Sequence, residues 1–334
     1  MKVALFEVSH WHVPLYFEGF KRCGLEIVGV TDGENVKGPE IAARFGCPVF
    51  TDPDALLDAV DVDFAFVFGR HAEMPALAQR LIGRRIPFSI EKPCGCRADD
   101  VKRIRSMAEA EGVYVAVPLW SRISDLLGAV RGLGEAGGGD RFDHIAFRFI
   151  AGPPSRYVDA GAAWMMDPEA AGGGCLINLA AHLIDLALLL LDGDVVTVFG
   201  RSSHRCFAAP VEDYFLLTLA TASGATAVIE TGYTFPMTDD EQREFSFTMS
   251  SAGHYVRSTM DGIRVYRRPV GGEAQDRPIR LDADVYYPVY VERVLADLAS
   301  AGGPVAGLKE AEAIMRIVDA GYRSAREGRT VQLG

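Results

Sequence analysis

Short runs of β-branched and aromatic residues alternate with longer stretches of helical spacing through the first third of the chain. Val3 to Phe6, Leu25 to Thr31, Phe64 to Phe68, Phe88 to Ile90 and Val113 to Val117 read as strands. Between them, about Pro14 to Cys23, Gly38 to Phe45, Ala72 to Arg84 and Ala98 to Glu111 read as helices. Pro48 to Asp52, ahead of Ala55, Leu56 and Leu57, reads as a short strand feeding a capped helix. This alternation predicts parallel strands joined by crossover helices, in a doubly wound α/β domain over residues 1–122.

The pattern changes near Asp143. Longer β-runs follow: His144 to Ile150, Val195 to Arg201, Tyr214 to Thr221, Ala225 to Tyr233 and Glu244 to Met249, with Ala222-Ser223-Gly224 as a turn. They predict an α+β domain over residues 123–334, built on an open, mainly antiparallel sheet. One nearly all-apolar helix, Cys175 to Leu191, is entered through Gly172-Gly173-Gly174. Asn178, His182 and Asp185 fall at i, i+4 and i+7 on it, a single polar stripe. Burying such groups unpaired costs about 1–3 kcal/mol each, so the three are expected to bond one another or line a cavity. Tyr287 to Glu327 reads as two further helices packing back on the first domain, and Arg267, Arg268 and Arg277 as a solvated hairpin region.

Candidate chemistry gathers at the ends of the early strands. Lys92 lies in Ser89-Ile90-Glu91-Lys92-Pro93, just past a strand. Open parallel sheets bind ligands at that edge, and a proline restricts the residue before it, so the Lys92 side chain is expected to be aimed. With a depressed pKa it is a proton donor or acceptor; the alternative is a surface Lys-Glu pair. Asp32 closes the second strand, where a carboxylate accepts from adenine ribose hydroxyls and repels a 2′-phosphate, favouring NAD over NADP.

The first turn departs from the pattern that Asp32 implies. Where G-x-G-x-x-G is expected, the chain reads Glu7-Val8-Ser9-His10-Trp11-His12, with none of the three glycines. Glu7 is expected to repel phosphate unless turned away or protonated, and His12 stands at the helix-packing position. Ser9 is small, with a hydroxyl that could donate to phosphate. His10 and Trp11 are placed to stack on or bond a cofactor; alternatively the turn is rebuilt around another ligand. Arg70 and His71 open the loop after the fourth strand at the same edge. A metal site from His10, His12 and His71 is the other reading, but histidine alternation without a carboxylate partner is a weak signal, so no metal is expected.

Charge narrows the partners. A net charge of -11 and a pI near 5.2 leave no dominant basic face for nucleic acid or an anionic membrane, so a small-molecule ligand is expected. Met1 to Phe6 runs straight into a strand without a signal-peptide pattern, and the longest apolar segment, Leu186 to Leu191, is far too short to span a bilayer. Cys94 and Cys96 have one residue between them, not metal-ligand spacing. A cytoplasmic protein with reduced thiols is the expectation.

Four segments occur together and in order: Glu91-Lys92-Pro93; Trp164-Met165-Met166-Asp167-Pro168-Glu169 leading into Gly172-Gly173-Gly174; His182-Leu183-Ile184-Asp185; and Ala320-Gly321-Tyr322-Arg323-Ser324-Ala325. On these residues the chain resembles the Gfo/Idh/MocA family of NAD(P)-dependent oxidoreductases, over essentially its whole length. The resemblance implies a Rossmann domain followed by an α/β domain whose open sheet forms a homodimer or homotetramer interface. It implies Lys92 and His182 as the acid/base pair, hydride passing to or from nicotinamide C4, and a carbinol or carbonyl of a sugar, cyclitol or related polyol as substrate. Asn178, Trp164 and Arg122 are the substrate-binding candidates. Ser9, His10, Trp11, His12, Asp32, Arg70, His71, Glu91, Lys92 and Pro93 are the cofactor-binding ones. Well-studied dehydrogenases of the family often carry an aspartate where this chain has Asn178, which can orient a hydroxyl but accepts no proton. Two other functions fit the same residues: an NAD-dependent glycosidase, as some relatives are, and a non-catalytic ligand sensor.

Overall fold

The computed structural model describes residues 1–133, 141–238, 240–268 and 274–334. Its first sheet is parallel and six-stranded: β1 (Lys2–Phe6), β2 (Glu26–Thr31), β3 (Val49–Phe50), β4 (Phe64–Val67), β5 (Phe88–Ile90) and β6 (Val115–Ala116), in the order β3-β2-β1-β4-β5-β6. Every residue of β4 and β5 is buried, which is why these strands read as unbroken apolar runs rather than alternating ones. The crossovers are α1 (Val13–Arg22), α2 (Gly38–Phe45), α3 (Pro53–Ala59), α4 (Met74–Gly83) and α5 (Ala98–Glu111). The strand order reverses between β1 and β4, and a crevice opens at such a reversal on the carboxyl side of the sheet.

The chain divides into two units that interleave in sequence. The first comprises Met1–Leu119, Ser155–Gly173 and Asp284–Met315; the second comprises Trp120–Pro154, Gly174–Ala283 and Arg316–Gly334. A single cut at residue 122 therefore does not describe the fold. Ser155–Gly173, which carries α7 (Ser155–Asp159) and α8 (Pro168–Ala171), belongs with the parallel sheet because Tyr157 and Trp164 pack on the aromatic turn after β1. The first unit also holds α11 (Tyr286–Ala299), which lies so close on α1 that a Cβ at Gly19 would sit 2.8 Å from the Val291 side chain. α12 (Leu308–Glu327) begins in the first unit and ends in the second.

The second unit opens with α6 (Asp125–Arg131) and is built on a nine-stranded sheet. Its strands are β7 (His144–Ala151), β8 (Val195–Ser203), β9 (Tyr214–Thr221), β10 (Thr226–Gly232), β11 (Arg243–Ser250), β12 (His254–Thr259), β13 (Gly262–Arg267), β14 (Gln275–Pro278) and β15 (Val331–Gln332). The order is β14-β13-β12-β11-β7-β10-β9-β8-β15, antiparallel throughout except for β7 beside β10. The last four strands are absent from the sequence reading: they are short or charged, and β12 and β14 lack the inward alternation of β9. Arg277 is not simply solvated, since its Nη1 donates to the Ala129 carbonyl at 3.3 Å; residues 269–273 of that hairpin lie outside the described ones. The expected single helix from Cys175 to Leu191 is two, α9 (Cys175–Leu179) and α10 (Ala181–Leu190), interrupted at Ala180. Among the described residues no single helix is long and apolar enough to cross a membrane.

Candidate cofactor and proton-transfer site

The turn after β1 keeps a glycine's backbone at only one of its three missing glycines. Glu7 has φ +55°, in the left-handed region that costs a residue with a Cβ about 1–2 kcal/mol. His12, by contrast, has φ −78° and ψ −20°, ordinary helical backbone at the N-terminus of α1. The Glu7 carboxylate lies across the ends of β1 and β2, where it accepts from the Thr31 hydroxyl at 2.9 Å and the Gly33 N–H at 2.9 Å. Burial raises its pKa against those two hydrogen bonds, and the nearby charges of Asp32 and Glu73 raise it further.

Asp32 is buried, 1% exposed, and one of its oxygens is fully engaged. Oδ2 accepts from the Lys37 N–H at 2.8 Å, the Gly38 N–H at 2.7 Å and the Ser9 hydroxyl at 3.0 Å, so it anchors the start of α2. Oδ1 is buried without a hydrogen-bond partner among the described residues. Ser9 therefore spends its proton on Asp32, and not on a phosphate as the sequence suggested.

Lys92 and Glu91 are no surface pair: they are 4% and 1% exposed. Glu91 accepts from the Tyr16 hydroxyl at 2.6 Å and the Lys92 N–H at 3.2 Å, and its Oε1 takes a hydrogen bond from His12 Nδ1 at 3.1 Å. The Tyr287 hydroxyl lies 3.2 Å from the same nitrogen. His12 thus finds a carboxylate neighbour 79 residues away in sequence. Burial lowers the Lys92 pKa to about 8; Glu91 opposes that shift and Arg156 adds to it. The Lys92 ammonium nitrogen sits 6.0 Å from the centre of the Trp11 ring, and Pro93 behind it is buried.

Two buried histidines and a tryptophan wall the same edge. His10 stacks on Trp11 at 3.9 Å and accepts the His12 N–H at Nδ1, which leaves its proton on Nε2, buried and without a hydrogen-bond partner among the described residues. Burial holds its pKa well below the usual value. His71 donates from Nδ1 to the Ala171 carbonyl at 2.7 Å, and burial lowers its pKa to about 3. Trp164, read from sequence as a substrate contact, packs edge-on against His71 at 5.0 Å. It closes a cleft of about 250 Å³ lined by Glu7, Ser9, Asp32, Gly33, Arg70 and Glu73 among others. Arg70 is paired with Glu34 and, at 3.8 Å, with Glu73.

The remaining candidates stand in the second unit. Arg122 is bound through Nε and Nη2 to both oxygens of Asp185 at 2.9–3.1 Å, and Ser121 donates to the same carboxylate. Its charge is thereby matched within the protein. Asn178 donates to the Tyr233 hydroxyl at 3.0 Å, and the His182 ring lies 5.2 Å from that of Trp120. The helix bearing them starts against Glu212, which is buried and accepts from the Gly174 and Leu176 N–H groups and the Tyr322 hydroxyl. A Cβ at Gly174 would lie 2.2 Å from the Glu212 carbonyl oxygen, so the third glycine of the run is required by close approach.

A dinucleotide fits the first unit. The strand order is that of a two-half mononucleotide fold, and the cleft lies at the ends of β1, β2 and β4, across the reversal. Asp32, whose Oδ1 has no partner among the described residues, and the Glu7 carboxylate line that cleft and would be the acceptors for a ribose diol. Among the described residues, the N–H groups of Ser9, His10 and Trp11 make no hydrogen bond and lie just before α1, where phosphate oxygens are bound by backbone. Tyr16, Tyr287, Gly33 and Glu73 escaped the sequence reading. Tyr16 carried one signal, its place one turn after His12 on the buried face of α1.

Residues 10–119 match the family described as "Oxidoreductase family, NAD-binding Rossmann fold", and residues 142–252 match "GFO/IDH/MocA C-terminal domain". The chain is 24% identical to D-apiose dehydrogenase of Paraburkholderia graminis over 332 residues, covering 93% of this chain and 84% of that one. An oxidoreductase from Agrobacterium radiobacter, solved with NAD+, L-tartaric acid and magnesium, superposes with a TM-score of 0.85 at 21% identity, covering 99% of this chain and 98% of that one. The WlbA dehydrogenase from Bordetella pertussis, solved with NADH and UDP-GlcNAcA, gives 0.83 at 21% identity, with 100% and 98% covered.

Proposed function

Because the chain belongs to the Gfo/Idh/MocA family of NAD-binding oxidoreductases, we propose that it moves a hydride between NAD and a hydroxyl-bearing carbon of a sugar, cyclitol or related polyol. The sugar named in D-apiose dehydrogenase and the sugar nucleotide bound by the WlbA enzyme support that substrate class. The observation that carries the reading is Lys92, buried at the carboxyl end of β5 with its pKa lowered to about 8. NAD, when bound, supplies the hydride acceptor or donor. Lys92 takes the hydroxyl proton in oxidation and returns it in reduction. About one lysine in ten is neutral at pH 7 with such a pKa, enough for a base and still a good acid. Oxidation then speeds up as pH rises through about 8, and reduction slows through the same range. By the family resemblance His182 is assigned as the second proton-handling group and Asn178 as a hydroxyl anchor.

The test is a fluorescence titration of the purified protein with NADH and NADPH, followed by a screen of aldoses and polyols with NAD. Lys92→Met is expected to keep NADH affinity and to lose turnover by about 10²–10⁴-fold. Turnover retained in that variant would remove Lys92 from the chemistry. Failure of the wild-type protein to bind either nucleotide would remove the hydride-transfer reading itself.

A further inference from the structure

We propose that Glu7, and not Asp32, is the main residue by which this protein selects NAD over NADP, an inference that rests on the cofactor reading above. The usual assignment of that task is to the acid closing the second strand. Here the acid is largely committed: Asp32 Oδ2 holds three donors, two of them N–H groups at the start of α2, and the residue is buried. A group so placed is first a structural anchor for the β2–α2 connection, with one oxygen left for a ligand.

Glu7 is placed differently. It occupies the first glycine position of the phosphate turn and retains that glycine's left-handed backbone, yet carries a side chain. Its carboxylate reaches over the end of β2 to the Gly33 N–H, and it lines the cleft together with Asp32. A Cβ at Gly33 would be 3.3 Å from Glu7 Oε2, so the carboxylate lies directly on the backbone that an adenine ribose approaches. The cleft also holds Glu34 and Glu73, and Arg70 is already paired with both. A ribose diol offers two hydroxyl donors to such a rim. A 2′-phosphate brings a charge of about −1.5 to −2 and meets carboxylates in a cleft whose lining arginine, Arg70, is already shared. The same placement turns the expected liability of Glu7 into a selector: it faces the ribose end of the ligand, while the backbone N–H groups of Ser9, His10 and Trp11 are left for the diphosphate.

The test is the ratio of NADPH to NADH dissociation constants, measured by fluorescence titration of the full chain as wild type, Glu7→Gln, Glu7→Gly and Asp32→Asn, with a thermal melt of each. Gln keeps an acceptor for Gly33 and the diol but removes the charge. The ratio is expected to fall at least about tenfold in Glu7→Gln and again in Glu7→Gly, whose backbone suits φ +55°, and less in Asp32→Asn. In wild type the ratio should also shrink as salt screens the repulsion, a response that a purely structural Glu7 would not show. A ratio within threefold of wild type in both Glu7 variants, or a larger change in Asp32→Asn, overturns the inference. Should wild type bind neither nucleotide, the cofactor reading fails and this inference with it; wild-type NADH binding with an unmoved ratio sinks the inference alone.

Discussion

Glu7 and Glu91 close two strands of one sheet, β1 and β5, and their surroundings make them opposite devices. Glu91 is enclosed by donors, with the Tyr16 hydroxyl, His12 and the Lys92 N–H on its oxygens, and the Lys92 side chain belongs to the next residue. Among the described residues the Glu7 carboxylate accepts from a threonine hydroxyl and one N–H, and the charges that raise its pKa are Asp32 and Glu73. Burial alone therefore says little about what a carboxylate does. With donors and a cation beside it, a carboxylate tunes a neighbouring amine; on a cleft rim beside other acids, with its pKa raised by burial and by them, it shapes which ligands are tolerated.

The largest expected break in this comparison comes from removing the charge of Glu91. Its carboxylate holds the Lys92 pKa up against burial, so Glu91→Gln should drop the midpoint of the pH–rate profile from about 8 by about one unit or more. The profile moves toward acid: more of Lys92 is neutral at pH 7, which favours oxidation, while reduction at that pH loses its acid. A substrate found by the polyol screen, assayed in both directions across pH, reads the shift. An unmoved midpoint would mean that Glu91 positions Lys92 without tuning it.

A smaller effect sharpens the role of the turn. His12→Gly restores the third glycine of the fingerprint, yet His12 has helical backbone that gains nothing from glycine's freedom. The substitution takes a donor from buried Glu91, so it should cost about 1–3 kcal/mol of stability. NADH affinity should stay within about threefold. Urea unfolding and the same fluorescence titration check both halves, and a marked gain in NADH binding would show that His12 does obstruct the cofactor.

These contrasts also mark what the sequence could tell. The helices Gly38 to Phe45 and Ala98 to Glu111 were legible to the residue, because capping and turn residues bound them and their periodicity is local. Lys92 was legible as a strand-end residue before proline, but its burial was not, since that depends on neighbours far along the chain. The partners of Glu91 are Tyr16, 75 residues away, and His12, 79 residues away. No spacing rule reaches that far, so His12 read as a misfit when it is a bonded member of the site. The helix that carries Asn178, His182 and Asp185 is interrupted at Ala180, and Asn178 and Asp185 bond Tyr233 and Arg122, partners more than 50 residues away that no local spacing points to. The edge strands from His254 onward are short, half exposed and charged, and such segments carry little period-two signal.

An effect of similar size tests whether burial without an oppositely charged partner behaves as it does at Glu7, now for a base. His71 is fully enclosed and donates to a carbonyl, and its pKa falls from 6.5 to about 3. A base with a lowered folded pKa binds fewer protons folded than unfolded. Its contribution to stability is therefore whole above about 6.5 and is lost as pH falls toward 3. Between pH 7 and pH 5 that loss amounts to about 2 kcal/mol from His71. His10, lowered by burial in the same way, adds a loss of the same sign. His71→Asn keeps a donor near the Ala171 carbonyl and removes the titration, so its unfolding free energy should decline less steeply over this range than that of wild type. Urea unfolding at the two pH values measures the difference. Parallel slopes would mean that the His71 pocket admits a proton and its counter-charge without unfolding, and that the neutral wall beside Trp164 is softer than its packing implies.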